Sequence, residues 1–593
     1  MRRLTTVLLI SAIAAAFMSI ESKACSNVLV TKGASTDGSN MVSYAADSHQ
    51  LYGELYFKKG GFWKEGDMLR INEWDTGKYL GEIPQVPVTY QRVGNMNEHQ
   101  LIIAETTYGG RHELFDSTGI MDYGSLIYVA LERAKTAREA IKIIVDLANT
   151  YGYYSSGESF SIADKDEVWV MDLIGKGHKL VDGKNVRKGI VWVARRVPDG
   201  YICAHANQAR ISTFPQNDPE NCMFAPDVIS FAREMGYFNG EDKDFSFCDA
   251  YAPLDFMGMR GCEARAWSAF NILCDGKFTF EDENGNVVTK DAYDYIDYAM
   301  GYDKTKRFPL FVKPSRKISV KDVADVMRDH YEGTPMDMTQ DIGAGGNALP
   351  YRWRPMSFEH EGKSYMNERA IATQQTGFWF VGQSRGWLPD TIGGVNWFGC
   401  DDAATSYLTP IYTTTTEVPE CFRVGNGNMI TYSPTSAFWI TNRVANACYK
   451  AYDIMFPTVD AAIDAWESEM MAAVVENDKK ALELYNAAGK KPVKQIRRCD
   501  KSPKAVEPYA EVKALLTRFS VDNAQKIFNK WVDLEVLLLV KFIDGNVKAQ
   551  NPDGSFVTNG HTDCIPDKIT QPGYTKKWKE CVAKDHGDIV EIR

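Results

Sequence analysis

Ser22-Lys23-Ala24-Cys25-Ser26-Asn27-Val28-Leu29-Val30-Thr31 is the stretch on which the reading of this chain turns. Its second half reads as a short strand opening on a cysteine. Its first half puts small residues, Ser22 and Ala24, three places and one place before that cysteine. Further out, Met1-Arg2-Arg3 is basic and Leu4 to Ile20 is almost wholly apolar. These are the parts of a cleavable secretory leader, with processing predicted between Ala24 and Cys25. The apolar run is marginal for crossing a bilayer and ends in a cleavable sequence, so no stable membrane insertion is expected. The chain is predicted to be exported, to a bacterial periplasm or the exterior, with Cys25 as its first mature residue.

Beyond Thr31, Gly33 to Gly38 make a turn and Asn40 to Tyr44 a returning strand. Gly-punctuated hairpins fill Leu51 to Gln91, Leu101 to Ala104 is a strand, and Leu126 to Asn149 has helical spacing. Ser159 to Ile162 and Glu167 to Met171 pair around Asp164 to Asp166, and strands begin at Val191 and Tyr201. Val320 to Glu332 is a predicted helix, and strands recur at Ala370 to Phe380 and Gly393 to Tyr412. Thr458 to Ala488 and Val506 to Phe542 are long helical patterns joined by a basic linker, Lys490 to Lys504. Strands and helices without strict βαβ alternation indicate an α+β layered fold. The predicted units are a leader (1–24), a main domain (25–450), a helical region (451–548) and an irregular tail (549–593).

The 593 residues carry a formal charge of −11, with a pI of about 5.5. This argues against a nucleic-acid partner, which needs clustered Lys and Arg. Contents of 44% hydrophobic and 12% aromatic residues suffice for a large core. In an oxidising compartment many of the 12 cysteines should pair. Setting Cys25 aside leaves an odd number.

A cysteine directly after a leader has three readings: structural, lipidated or catalytic. Ser22 and Lys23 fit a lipidation signal badly, although Ala24 fits. In the catalytic reading, the mature residue holds a thiol and a free α-amine together. That amine has an ordinary pKa of about 7.7–8.0 and can accept the thiol proton without a histidine.

Further pieces run in order along the chain. They are Cys25-Ser-Asn with Ala34-Ser-Thr-Asp-Gly38; Asp47-Ser48; Gly94-Asn-Met-Asn97-Glu98; Gly157-Glu-Ser-Phe160 with Glu167-Val-Trp169; Ala206-Asn207-Gln208-Ala-Arg210; Arg265-Ala-Trp267; Gln383-Ser-Arg385; and Thr405-Ser-Tyr407. With them the chain resembles the N-terminal-nucleophile dipeptidases, the dipeptidase A type with secernin relatives, and more distantly the choloylglycine hydrolases and penicillin V acylases. The resemblance implies a four-layer αββα sandwich with a C-terminal helical extension and the nucleophile at the end of a central strand. It nominates Asp47 to hold the α-amine, Asn207 and a backbone N–H near Thr107 for the oxyanion, and Arg265 beside the nucleophile. The relatives often place an arginine where this chain has Tyr44, which weakens any local cation at the thiol. Asn97 and Glu98 are expected to build a turn.

No cofactor is called for. His561, Cys564, Cys581 and His586 superficially resemble a zinc set, but a Cys564–Cys581 disulfide is the expected reading. Gly343-Ala-Gly-Gly346 lacks the Lys-Ser/Thr of a P-loop and is read as a flexible loop. The expected activity is hydrolysis of small peptides with a free N-terminus, an acidic side chain pairing the substrate ammonium. Glu105 and Glu158 are candidates for that carboxylate because they adjoin matched motifs. The alternatives are an acylase cleaving acyl conjugates and a non-enzymatic lipoprotein.

Overall fold

The computed structural model describes residues 25–489 and 509–592. The leader and the linker Lys490 to Lys504 lie outside the described residues. β1 (Asn27–Val30) and β2 (Asn40–Asp47) form the hairpin expected around Gly33 to Gly38, with β2 continuing past Tyr44 to Asp47. Every residue of both strands is buried, because each strand is covered on both faces. Their polar residues are therefore hydrogen-bonded: Ser43 Oγ accepts from Val28 N at 2.9 Å, and Asn27 Nδ2 donates to Ser161 Oγ at 3.0 Å.

β3 (Ile102–Tyr108), β4 (Gly157–Ala163), β5 (Val168–Gly175) and β6 (Ile190–Arg196) are successive antiparallel neighbours within an eight-stranded sheet. β7 (Ile202–His205) returns to lie beside β1. With the edge pair Phe311–Val312, β8 (Thr376–Ser384), β9 (Gly394–Cys400) and β10 (Thr409–Tyr412) it completes a seven-stranded sheet in which β1 and β2 are central. The two sheets meet where β2 contacts β3 and β4. α1 (Tyr123–Arg133) and α2 (Ala137–Tyr151) pack on the eight-stranded sheet, while α3 (Ala264–Leu273) and α4 (Val320–Val326) pack on the seven-stranded one. The result is a mixed α/β layering with the start of β1 at its heart.

The helix expected over Leu126 to Asn149 is broken into α1 and α2. Asn97 Nδ2 donates to the carbonyls of Leu131 and Ala134, both at 2.8 Å, which closes α1. Thr136 then caps α2 by accepting from Glu139 N. Asn97 thus does build a turn, and its amide also ends a helix. α4 stops at Val326, short of the expected Glu332.

α5 (Ala437–Cys448), α6 (Tyr452–Gly489) and α7 (Ala510–Lys541) follow, the last two confirming the long helical patterns. α7 packs on β10, the edge of its sheet, and on α5 and α6, so that edge is covered. Glu467 of α6 pairs with Arg328 at 2.6 Å in the interior. The tail is not wholly irregular: α8 (Lys576–Val590) lies in it, capped by Thr575. No residue of α8 is buried. The Gly343 to Gly346 segment is a 3-10 turn rather than an open loop, and a side chain at Gly343 or Gly346 would strike Arg352 or Tyr574.

None of the eleven described cysteines is paired, Cys564 and Cys581 included. The expectation of disulfides fails because most of these thiols are buried and pack as small apolar groups within a core large enough to stand without crosslinks. No helix among the described residues is long and apolar enough to cross a membrane.

Candidate active site

Cys25 immediately precedes β1, and the Ser26–Ala45 bridge fixes it against β2. Only 5% of it is exposed. Its thiol donates to Glu105 Oε1 at 3.5 Å and lies 3.8 Å from the Tyr44 hydroxyl. That hydroxyl donates to the same Glu105 oxygen at 2.5 Å. Burial first, then the charges of Glu105 and Asp47, push the thiol well above the usual cysteine range. The resting group is therefore a thiol, which could act as a nucleophile only by giving its proton to a base.

The residues on either side of this thiol differ sharply in charge. On one side stands Arg265, buried at the start of α3 after an irregular π-helical turn, Gly258–Glu263. Such turns re-aim side chains and recur at functional sites. Arg265 Nε donates to Gly261 O at 2.9 Å. Nη1 donates to Cys25 O at 2.7 Å and Ser26 Oγ at 2.9 Å, and Nη2 to Asn207 Oδ1 at 2.9 Å. Asn207 follows β7 with φ 53, a left-handed conformation that Asn tolerates. Its Nδ2 donates to Thr107 O at 2.6 Å, so the amide is oriented from both ends.

Asp47 ends β2. Its carboxylate accepts from Arg369 Nη2 and from Thr376 Oγ1, each at 2.6 Å. Burial pushes its pKa up to about 6 although Arg369 and Thr376 pull the other way, and burial pushes Arg369 down to about 9. Desolvation outweighs pairing on both partners. Arg265 and Arg354 act on this same pair, so three guanidiniums surround one carboxylate. Asp47 is not a surface turn cap: it is the anion of a buried cationic cluster, and its backbone hydrogen bond favours the Cys25 thiolate.

The other side is acidic. Glu105 and Thr107 alternate on β3, and Thr107 faces Glu158 across the β3–β4 ladder, so all three side chains share one face. Thr107 Oγ1 donates to Glu158 Oε2 at 3.0 Å and lies 3.5 Å from Glu105 Oε2. Burial and then Glu105 hold the Glu158 carboxyl well above the usual range. The Thr107 carbonyl takes the Asn207 amide and its hydroxyl joins the acidic pair. On the neighbouring residue, Thr106 Oγ1 bonds His205 Nδ1 at 2.8 Å, and Ser161 Oγ bonds Nε2 at 2.7 Å. Burial pushes His205 down to about 3, so that ring is neutral.

A cleft of about 490 Å³ opens here, lined among others by Thr107, Tyr123, Asn207, Cys262, Arg265 and Arg369. A larger cavity of about 1070 Å³ lies elsewhere, around Arg195, Lys290 and Arg307, and holds none of the nominated residues. Among the described residues no three His, Cys, Asp or Glu side chains gather as a metal-binding group, so His561, Cys564, Cys581 and His586 do not form one.

The structure thus brings Cys25, Asn207, Arg265 and Thr107 into one hydrogen-bonded chain and sets Asp47 beside it. Sequence reasoning missed Arg369, which meets Asp47 from 322 positions away with no local pattern to announce it. It also treated Tyr44 only as a departure. The cation absent at that position is supplied to Asp47 by Arg369, and the phenol of Tyr44 bonds Glu105 instead.

The family described as Peptidase family C69 matches residues 69–465, a span that begins downstream of Cys25, Tyr44 and Asp47. A probable dipeptidase of Latilactobacillus sakei is 23% identical over 79% of this chain and 91% of its own length. A probable dipeptidase A of Streptococcus pyogenes serotype M3 is 24% identical over 72% of this chain and 82% of its own. Dipeptidase A of Lactobacillus helveticus is 21% identical over 79% and 90%.

Proposed function

Because the chain belongs to peptidase family C69, we propose that it is an exported cysteine dipeptidase whose nucleophile, the Cys25 thiol, becomes N-terminal when residues 1–24 are removed. The supporting observation is the placement of that thiol. It is buried at the mouth of a central strand, its own carbonyl is pinned by Arg265, and Arg265 also fixes Asn207 at the cleft. The two facing sheets with helices against each fit an N-terminal-nucleophile αββα sandwich, and the dipeptidase names of the relatives agree with short peptide substrates.

In this reading the S–H proton passes to the α-amine of Cys25 as sulfur bonds the scissile carbonyl carbon. The amide held by Arg265, together with backbone near Thr107, faces the oxyanion that forms. Such preoriented donors contribute about 3–4 kcal/mol each to a transition state. Collapse breaks the C–N bond, and the leaving amine takes the proton from the α-amine. Water then adds to the thioester, gives its proton to the α-amine, and the C–S bond breaks to return the thiol. Asp47 holds the cationic cluster beside Cys25.

The test is the mass of the mature N-terminus, followed by turnover of free dipeptides beside acyl-glycine and acyl-taurine conjugates. A chain starting at unmodified Cys25 that cleaves dipeptides is expected. Faster cleavage of the conjugates makes it an acylase, and a lipid on Cys25 removes the mechanism.

A further inference from the structure

We infer that Glu105 and Glu158 form the seat of the substrate's α-ammonium group, and that this seat sets the register of cleavage directly after the first residue. The inference rests on the dipeptidase reading of Cys25 and assigns its substrate recognition.

Three observations carry it. The first is distance. In a peptide the α-nitrogen and the carbonyl carbon of one residue are separated by two bonds, about 2.5 Å. A carbonyl carbon in reach of the Cys25 sulfur therefore places the first residue's nitrogen within a few ångströms of that sulfur. Glu105 Oε1 lies 3.5 Å from it. An ammonium on the adjacent carbon can meet this oxygen.

The second is unmatched charge. The hydrogen bonds of Glu105 and Glu158 run to each other and to Cys25, Tyr44 and Thr107, and among the described residues neither carboxyl has a basic partner. Glu158 Oε1 is fully buried without a hydrogen-bond partner. Burial and the neighbouring Glu105 disfavour the charged form of Glu158, and a cation placed between the two carboxyls offsets that penalty. A primary ammonium supplies that charge and three N–H donors, against a group already shaped to accept them.

The third is access. Thr107, bonded to both acids, lines the cleft, as does Tyr123, whose hydroxyl is fixed by Asp75 at 2.9 Å. Tyr123 interacts electrostatically with Glu105, Glu158 and Cys25, so these groups share one neighbourhood. Arg265 and Arg369 line the same cleft, and Glu105 and Glu158 lie buried behind Thr107. A cation entering this cleft is repelled by the guanidiniums and drawn to the acidic pair.

The experiment is a cycle of two substrates and three enzymes. The substrates are Ala-Ala and propionyl-alanine, which differ by the ammonium alone; the enzymes are wild type, Glu158→Gln and Glu105→Gln. For wild type, loss of the ammonium should lower kcat/KM by about 100-fold or more, the scale of a buried charged partner left unmatched. Glu158→Gln should lower kcat/KM for Ala-Ala by about 10- to 100-fold, mainly through KM, and change propionyl-alanine less than about threefold. Glu105→Gln touches the thiol and is expected to slow both substrates, Ala-Ala by the larger factor. Equal losses on both substrates in both variants would overturn the inference and leave the acids a structural role. If wild type instead prefers the substrate without an ammonium, the dipeptidase reading itself fails, and that result is visible without any variant.

Discussion

Arg265 donates from Nη2 to the side-chain oxygen of Asn207 at 2.9 Å, while its Nη1 holds the carbonyl of Cys25 at 2.7 Å. One guanidinium therefore sets both the backbone of Cys25 and the amide that faces the cleft. It makes these contacts from a fork that lysine does not possess.

Arg265→Lys should lower kcat by about 100-fold, and Asn207→Gly, which keeps the left-handed backbone, by about 100- to 1000-fold. Because the two act as one unit, the double variant should fall little below the worse single variant. Steady-state kinetics on a free dipeptide measure this. Independent losses that multiply would separate the residues.

Cys25→Ala should abolish turnover while leaving the urea midpoint close to wild type. The thiol's contacts with Glu105 and Tyr44 are long and the side chain is small, so little packing is lost. Cys25→Ser should retain at most a trace, since a hydroxyl is the weaker nucleophile. Wild-type rates in Cys25→Ala would move the chemistry to another residue.

Asp47→Ala should cost about 3–5 kcal/mol of stability, because it removes the buried anion that pairs with Arg369 beside Arg265 and Arg354. Asp47→Asn keeps an acceptor for Thr376 and should lose less. Urea unfolding of both variants at pH 7 reads the difference. An Asp47→Ala protein as stable as wild type would mean the pair carries no structural weight.

What the sequence disclosed was local, and what it hid was distant. The β1–β2 hairpin, the β4–β5 pair around Asp164 and the long helices α6 and α7 each carry their signal in neighbouring residues. Cys25, Asn207 and Arg265 were legible because short ordered motifs surround them. The Arg369–Asp47 pair was not, since a contact across 322 positions leaves no periodicity to read. The break between α1 and α2 was hidden for the same reason: Asn97, on another segment, ends the helix. Glu105 and Glu158 could be nominated from their motifs. Only the β3–β4 register put both on one face with Thr107.

Asp401 offers a test of burial away from the cleft. One carboxylate oxygen accepts from Asn442 Nδ2 at 3.1 Å and the other is buried without a partner. Burial and then Asp402 push its pKa from 3.8 to about 8. The folded chain therefore keeps a proton that the unfolded chain has released, and stability from this group is full below the unfolded value and lost as pH rises through about 8. The slope is about 1.4 kcal/mol per pH unit between those values. Asp401→Asn keeps the left-handed backbone and should flatten the decline in urea midpoint between pH 5 and pH 8. An unchanged slope would place the titrating group elsewhere.

The remaining prediction concerns the base. The thiol of Cys25 is held protonated by burial and by two nearby acids, and the neutral ring of His205 is engaged by Thr106 and Ser161. In the proposed mechanism only the α-amine of Cys25 can take the proton, and residues attached before Cys25 convert that amine to an amide that cannot. A chain carrying an uncleaved extension at Cys25 should therefore fold with an unchanged urea midpoint yet turn over dipeptides at less than about 1% of the mature rate. Placing a specific protease site directly before Cys25 makes the comparison within one preparation. Activity should appear in step with release of the extension, followed by mass spectrometry of the N-terminus. Full activity before cleavage would show that another group accepts the thiol proton, with Glu105, 3.5 Å from the sulfur, as the next to test.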